Sequence, residues 1–288
     1  MQPSNGSSLP DAMLADTQAA FDSVAANYDG PRGNNLLIQR MRERTWRTIE
    51  RRVSPPAQLL DLGCGTGIDA LHFANLGYGV LATDWSPQMV ARAAARGHAH
   101  ATLTGHSRLE AICAGAHELE RLEGAPGGRF DAAYSNFGPL NCIPDLRAVS
   151  GECARLLKPG GLLIFTIIGR LCPWELGYYL LQGRIERARV RFERRMTAVN
   201  LNRHQVWTRY YTPREFYRCF AGEFELLEHR ALSLFLPPPY LIDFYQRAPR
   251  RNRALAWLDD HLGGLPLLRG AGDHFLMVLR RRASPEPA

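Results

Sequence analysis

The nonapeptide Leu59-Leu60-Asp61-Leu62-Gly63-Cys64-Gly65-Thr66-Gly67 places three glycines directly after an apolar run. Glycine lets the main chain turn sharply off a strand and approach a ligand closely. A helix beginning there would aim its free N–H groups at that ligand. Gly65-x-Gly67-x-x-Ala70 also satisfies the dinucleotide fingerprint, in which such a helix start holds a pyrophosphate. Asp61, just before the glycines, suits an ammonium group and would repel a pyrophosphate. Asp84 closes the next apolar run, 17 residues after Gly67, where a carboxylate suits two ribose hydroxyls. The second mononucleotide half of a dinucleotide fold is missing, so a nicotinamide-dependent reductase rests on the glycine pattern alone.

These residues need strands to end at one edge and helices to begin there. Gln58 to Leu62, Gly79 to Thr83, Glu110 to Cys113, Phe130 to Ser135 and Leu162 to Ile168 read as strands. Between them, Thr66 to Leu76, Pro87 to Arg96 and Asp145 to Leu157 read as helices. Such alternation implies a parallel sheet covered on both faces. Upstream lie a short helix over Thr17 to Asn27 and a second one capped by Asn34 and stopped by Pro55-Pro56. After Gly169 the rhythm breaks. Residues 170–212 read as two helices and an extended stretch, Pro213 to Phe220 as a helix, Phe224 to Phe235 as a strand. A helical region follows to about Leu262, and Phe275 to Leu279 forms the last strand.

Four blocks in this order resemble the class I S-adenosylmethionine-dependent methyltransferases, in the broad group that includes the ubiquinone-biosynthesis type. They are Phe21-Asp22-Ser23-Val24-Ala25-Ala26-Asn27-Tyr28-Asp29, the glycine block, Phe130-Asp131-Ala132-Ala133-Tyr134-Ser135-Asn136, and Leu156-Leu157-Lys158-Pro159-Gly160-Gly161. The resemblance implies an α/β fold: a Rossmann-like, doubly wound, mostly parallel seven-stranded sheet with an antiparallel last strand and a helical, aromatic lid insert after strand five. The divisions expected are a flexible N-terminus (1–16), a cofactor-binding core with N-terminal lid helices (17–169), a substrate-lid insert (170–222), C-terminal strands and helix completing the sheet (223–282), and a flexible tail (283–288). The implied cofactor is S-adenosyl-L-methionine. Gly63, Cys64, Gly65 and Gly67 would cradle its methionine part, with Asp61 near the amino group and Asp84 on the ribose. Trp85 and Met89 would flank the adenine, Ala116 and His117 would meet its amino edge, Ser135 and Asn136 would face the sulfonium, and Tyr28 would close over it. The acidic residue that the family often carries after strand three is replaced by Gly115.

Methyl transfer from a sulfonium is an in-line displacement to which alignment and exclusion of water contribute much, and whether a general base takes part is not fixed by the sequence. The sequence therefore names catalytic residues poorly; Asn136 and His204 are the candidates, and His229 and His274 have no local signature either. Phe137, Trp174, Tyr178, Trp207 and Tyr210 are the expected substrate-lid residues, which suits a flat or lipophilic acceptor methylated at oxygen or nitrogen. Net charge is −1 over residues 1–169 and +8 over 170–288. Arg184, Arg187, Arg191 and Arg195 fall at helical spacing and predict one cationic, solvated helix face. That basic half keeps an RNA or DNA methyltransferase open as an alternative, although Ser135-Asn136-Phe137-Gly138-Pro139 only loosely echoes the motif used on base amines. A cofactor-binding sensor or subunit without transfer activity is the other. Six dispersed cysteines carry no metal-ligand spacing, so no metal is expected, and no apolar run reaches the roughly 20 residues of a membrane span. With no secretory signal apparent, the expected setting is reducing and cytoplasmic. The spacing of residues does not fix oligomeric state.

Overall fold

The apolar runs become strands because both of their faces are covered. The computed structural model describes residues 9–123 and 128–283. In β1 (Gln58–Leu62), Leu59, Leu60 and Leu62 are fully buried and so is Asp61. Around it the chain forms α1 (Leu9–Val24), α2 (Leu36–Glu50), α3 (Ile68–Asn75), β2 (Gly79–Asp84), α4 (Pro87–Thr104), β3 (Leu109–Cys113), β4 (Phe130–Ser135), α5 (Leu146–Leu156) and β5 (Leu157–Ile168). There follow α6 (Pro173–Leu181), α7 (Ile185–Arg189), β6 (Thr197–Leu201), β7 (His204–Thr208), α8 (Pro213–Phe220), β8 (Phe224–Leu232), α9 (Ile242–Gln246), α10 (Pro249–Leu262) and β9 (His274–Arg281).

The seven-stranded sheet has the order β3-β2-β1-β4-β5-β9-β8, with β6 and β7 forming a separate hairpin. The first five strands are parallel, and β9 is antiparallel to both β5 and β8. Leu60, Leu62, Ala133 and Phe165 pack toward α5 and α8; Leu59, Ala82, Tyr134 and Ile164 pack toward α2 and α3. The chain winds outward in opposite directions from β1 and β4, so the carboxyl ends of these neighbours flank the crevice where open α/β sheets bind ligands.

Several expected boundaries move for local reasons. Residues 9–16, expected to be flexible, belong to α1; residues 1–8 and 284–288 lie outside the described residues. The cap of α2 is Asn35 rather than Asn34: its backbone is extended and its side chain accepts from Leu37 N and Ile38 N. Helix α4 runs past Arg96 to Thr104, because Gly97 is a packing glycine rather than a stop. A Cβ at Gly97 would stand 2.6 Å from the Leu109 carbonyl oxygen. Gly105, at φ +73°, ends the helix instead. Pro159-Gly160-Gly161 does not precede β5 but lies within it, as an irregularity between the Phe130–Leu157 and Ala132–Leu162 pairs.

The largest departure is in the insert. The arginine stripe does not form, because α7 stops at Arg189 and a 3-10 turn over Val190–Phe192 swings Arg191 inward. Arg191 is buried and donates through Nε and Nη2 to Glu175 at 2.9 and 2.7 Å. It also donates through Nη2 to Asp273 Oδ1 at 2.6 Å, and through Nη1 to the Gly169 and Asp273 carbonyls at 3.0 Å each. This ties α6 and the turn after α7 to the ends of β5 and β9. Removing one member of a buried ion network leaves the others uncompensated, at about 3–5 kcal/mol. Arg191→Met is therefore expected to lower unfolding free energy by about that much, read as a reduced urea midpoint, while exposed Arg195→Met leaves it unchanged.

Candidate active site

The turn after β1 needs its glycines. Gly63, Gly65 and Gly67 have φ of +75°, +54° and +81°, a region that side chains with a Cβ rarely enter. A Cβ on Gly63 would also stand 2.3 Å from the Pro139 side chain, and one on Gly67 would stand 2.8 Å from that of Ala93. Gly63 N and Cys64 N both donate to Thr83 O at 2.8 Å, locking the turn onto β2. Asp84, at the end of β2, accepts from Gly65 N at 2.8 Å and Ser86 N at 2.9 Å. Burial pushes the Asp84 carboxyl up, and these two backbone donors pull it part of the way back.

Together these elements enclose a cavity of about 170 Å³ at the carboxyl edge of the sheet. Of the expected cofactor residues, Tyr28, Gly63, Cys64, Gly65, Asp84, Trp85, Met89, Ala116 and Asn136 line it. Four do not. Gly67 caps α3 and packs on Ala93. Ser135 turns its hydroxyl away to Leu62 O at 2.7 Å. His117 lies behind Trp85, with ring centroids 3.8 Å apart. Asp61 is 1% exposed beneath the turn, and its Oδ2 has no hydrogen-bond partner among the described residues. Burial, reinforced by the charge of Asp69, holds the Asp61 carboxyl well above its ordinary range.

Asn136 is held at the tip of β4: Thr166 Oγ1 donates to its Oδ1 at 3.2 Å and accepts from Phe137 N at 2.8 Å. Its Nδ2 is buried without a protein partner and lies at the cavity wall. An unsatisfied buried donor of this kind asks for a ligand acceptor. Of the acids on the walls, Asp69 pairs with Arg42 and Asp29 with Arg96, each at 2.7 Å, whereas Asp84 accepts from backbone donors. Tyr28, whose hydroxyl burial and Asp84 push up to about 12, stays neutral there.

The N-terminal segment closes this cavity with contacts that were not read from the sequence. Asp29 accepts from Thr66 Oγ1 at 2.6 Å and from Arg96 Nη2 at 2.7 Å, while Arg96 also donates to Thr66 O. Gln18 Nε2 donates to Trp85 O at 2.8 Å, and Asp22 accepts from the Ser86 hydroxyl. Leu14, Thr17 and Phe21 of α1 form part of the wall.

A second cavity of about 870 Å³ adjoins the first, sharing Tyr28, Phe137, Ile168 and Thr208 with it. Of the expected lid residues, Phe137 and Tyr210 line it; Trp174, Tyr178 and Trp207 do not. Trp174 packs on Phe244 and Tyr178, and Trp207 donates through Nε1 to Asp16 at 3.1 Å. Strand alternation explains the exchange, since Val206 and Thr208 face the first cavity while Trp207 faces α1. Tyr179 and Tyr240 take the places expected of Tyr178 and Trp174. His204 is exposed at the start of β7 and lines neither cavity, and His229 lines neither, whereas His274 lines the second.

With that geometry in place, the family described as methyltransferase domain matches residues 59–161, the span from β1 into β5 that carries the glycine turn, Asp84 and Asn136. Residues 59–161 thus carry a methyltransferase domain. The chain is 32% identical over 152 residues to a demethylmenaquinone methyltransferase of Mycobacterium marinum, covering 52% of this chain and 58% of that protein. It is 34% identical over 164 residues to a malonyl-[acyl-carrier protein] O-methyltransferase of a Methylovorus species, covering 55% and 53%. The chain thus spans between half and two thirds of the length of these relatives. In fold, it is similar to the 1,6-didemethyltoxoflavin-N1-methyltransferase of Burkholderia thailandensis, with a TM-score of 0.58 at 16% identity over 98% of this chain and 94% of that one. No described helix is long and apolar enough to cross a membrane.

Asp29 ties the segment after α1 to the glycine turn through Thr66 and Arg96. The ion pair with Arg96 is partly exposed, and such pairs contribute about 1 kcal/mol at most. Asp29→Ala is expected to raise amide exchange over residues 25–34 by roughly fivefold, the factor that about 1 kcal/mol gives. Hydrogen-exchange mass spectrometry reads it, with exchange in β1 and β4 unchanged.

Proposed function

We propose that this chain transfers a methyl group from S-adenosylmethionine to a small aromatic or lipophilic organic acceptor, at oxygen or nitrogen. The observation that carries the reading is the pair of joined cavities: one at the glycine turn that Asp84 lines, sharing Tyr28, Phe137, Ile168 and Thr208 with a larger one walled by tyrosines. In this reading Gly63, Cys64 and Gly65 hold the methionine part of the cofactor by backbone contact. Asp84 holds the ribose, exchanging its present bond to Gly65 N for ribose hydroxyls. Trp85, Met89 and Ala116 enclose the adenine, with His117 supporting Trp85 from behind. Asn136 Nδ2 offers its free hydrogen bond to the ligand, and Asp61 acts from beneath the turn rather than on its surface.

The acceptor then occupies the second cavity, whose size is within the range for small-molecule sites. The named substrates of two proteins similar to this one, a demethylmenaquinone and a didemethyltoxoflavin, are flat rings and support an acceptor of that shape. A nucleic-acid acceptor finds less support, because part of the arginine excess is consumed internally. Arg170 pairs with Glu215, Arg191 with Glu175 and Asp273, and Arg280 with Glu225. The six cysteines are free, which agrees with a reducing, cytoplasmic setting.

Calorimetric titration with S-adenosylmethionine and S-adenosylhomocysteine tests the cofactor site. A hydrogen bond to a charged group is worth about 1.5–3 kcal/mol, so Asp84→Asn is expected to weaken both ligands by roughly ten- to a hundredfold. Binding that is absent in the wild type, or equal in the variant, would remove the basis for these assignments.

A further inference from the structure

The tyrosine-walled cavity holds a second charged feature at its edge. His274 is the first residue of β9 and pairs with Ile168, the last residue of β5, which lines both cavities. Its ring stands edge-on to Phe137, 6.1 Å between centroids, and Phe137 also lines both. His274 is therefore beside the passage between the two spaces. Its backbone neighbours are fixed: Gly169 N donates to Asp273 O at 2.9 Å and Asp273 N donates to Ser233 O at 3.1 Å.

Asp273 divides its carboxylate between two partners. Oδ1 accepts from Arg191 at 2.6 Å and Oδ2 faces His274 Nδ1 at 2.8 Å. Although burial alone would raise the Asp273 carboxyl, the Arg191 guanidinium, with the hydrogen bond to His274 beside it, holds it well below the usual carboxylate range. An ionised carboxylate only accepts, so the proton of a neutral imidazole sits on Nδ1 and the lone pair on Nε2. Among the described residues Nε2 has no hydrogen-bond partner. Arg191 serves Oδ1 alone, so among the described residues His274 Nδ1 is the side-chain partner of the buried Oδ2. The charged and titratable groups gathered around the pair are Glu175 of α6, Arg191 of the turn after α7, Cys172, Tyr210 and Tyr240.

We propose that His274, oriented by Asp273, is the general base for an acceptor that carries an aromatic hydroxyl. This rests on the methyl-transfer reading above and narrows its acceptor to oxygen. A neutral imidazole matches the acidity of a phenol or enol and not that of an alkyl alcohol. An amine brings its own lone pair and needs no proton removed before the bond forms. In the step, the acceptor oxygen bonds to the methyl carbon as the carbon–sulfur bond breaks, and that electron pair stays on sulfur. The hydroxyl proton passes to His274 Nε2 and from there to water. Asp273 is a positioning residue: it fixes the tautomer and stabilises the imidazolium.

The test uses 4-nitrophenol, whose neutral and ionised forms absorb at different wavelengths. It is added to the protein, with and without saturating S-adenosylhomocysteine, at a pH where it is neutral in water. Wild type is expected to bind it as the phenolate. His274→Asn is expected to reduce the bound phenolate at least tenfold while binding S-adenosylhomocysteine as wild type does. No phenolate band in wild type, or a band retained in His274→Asn, overturns the proposal. Failure of S-adenosylhomocysteine to bind is scored separately by calorimetry and overturns the underlying cofactor reading. Folding is read on His274→Asn itself, whose amide keeps a donor facing Asp273 Oδ2: its urea midpoint is expected to match wild type.

Discussion

A guanidinium withdrawn from water must find acceptors for all five of its N–H groups, or the cost of burial exceeds what its ion pairs return. Arg191 meets that condition. Its Nε and both terminal nitrogens reach two oxygens of Glu175, one oxygen of Asp273 and two main-chain carbonyls. Its flat face lies 5.4 Å from the centre of the Tyr210 ring. Glu175 also accepts from the Tyr240 hydroxyl at 2.7 Å. One cation thereby fixes the relative positions of α6, the end of β5, the start of β9 and the turn before α9. These are the surfaces that bound the larger cavity, so its shape depends on a single buried charge being fully satisfied.

The smaller cavity depends on a different kind of closure. Helix α1 lies between the sheet edge and the β6–β7 hairpin, and it is tied to both. Toward the sheet, Gln18 and Asp22 reach the segment after β2. Toward the hairpin, Thr17 Oγ1 accepts from Trp207 N at 3.1 Å and Asp16 accepts from the Trp207 ring. Asp29 then fastens the following turn to the glycine loop through Thr66 and Arg96. These ties are side-chain hydrogen bonds and a partly exposed ion pair, added to the apolar packing of Leu14 on the core and of Ala20 against Val206 and Cys142. Elements held in that way open at lower cost than the sheet they cover.

The sequence is legible where short-range rules decide. The bounds of β1 and β4 follow from apolar runs closed by glycine or asparagine, and the turn after β1 follows from glycines at positions where φ is positive. The sheet with one antiparallel strand follows from the alternation and the resemblance together. Legibility ends where distant segments meet. Arg184, Arg187, Arg191 and Arg195 have helical spacing, yet the acids that draw Arg191 inward stand 16 and 82 residues away, so spacing alone assigns it to solvent. The tyrosine pairs show the same boundary. That one ring of Tyr210-Tyr211 faces each way is readable; that Tyr210 takes the cavity and Tyr211 the core beside Phe216 is set by α8. Asp61 and Ser135 show a further one, since being next to the ligand edge in sequence does not place a side chain on its surface.

The β6–β7 hairpin has a consequence for how the two cavities change in descendants of this sequence. Its rungs pair Thr197 with Thr208 through to Leu201 with His204 in an uninterrupted antiparallel register. Side chains on a strand alternate, so deleting or inserting one residue would turn Trp207 inward and expel Val206 and Thr208 together. Two-residue changes preserve the facing and only slide it along the wall. Drift in the length of this hairpin is thereby quantised: even steps reshape the chamber, while odd steps invert its lining and detach α1 at the same time.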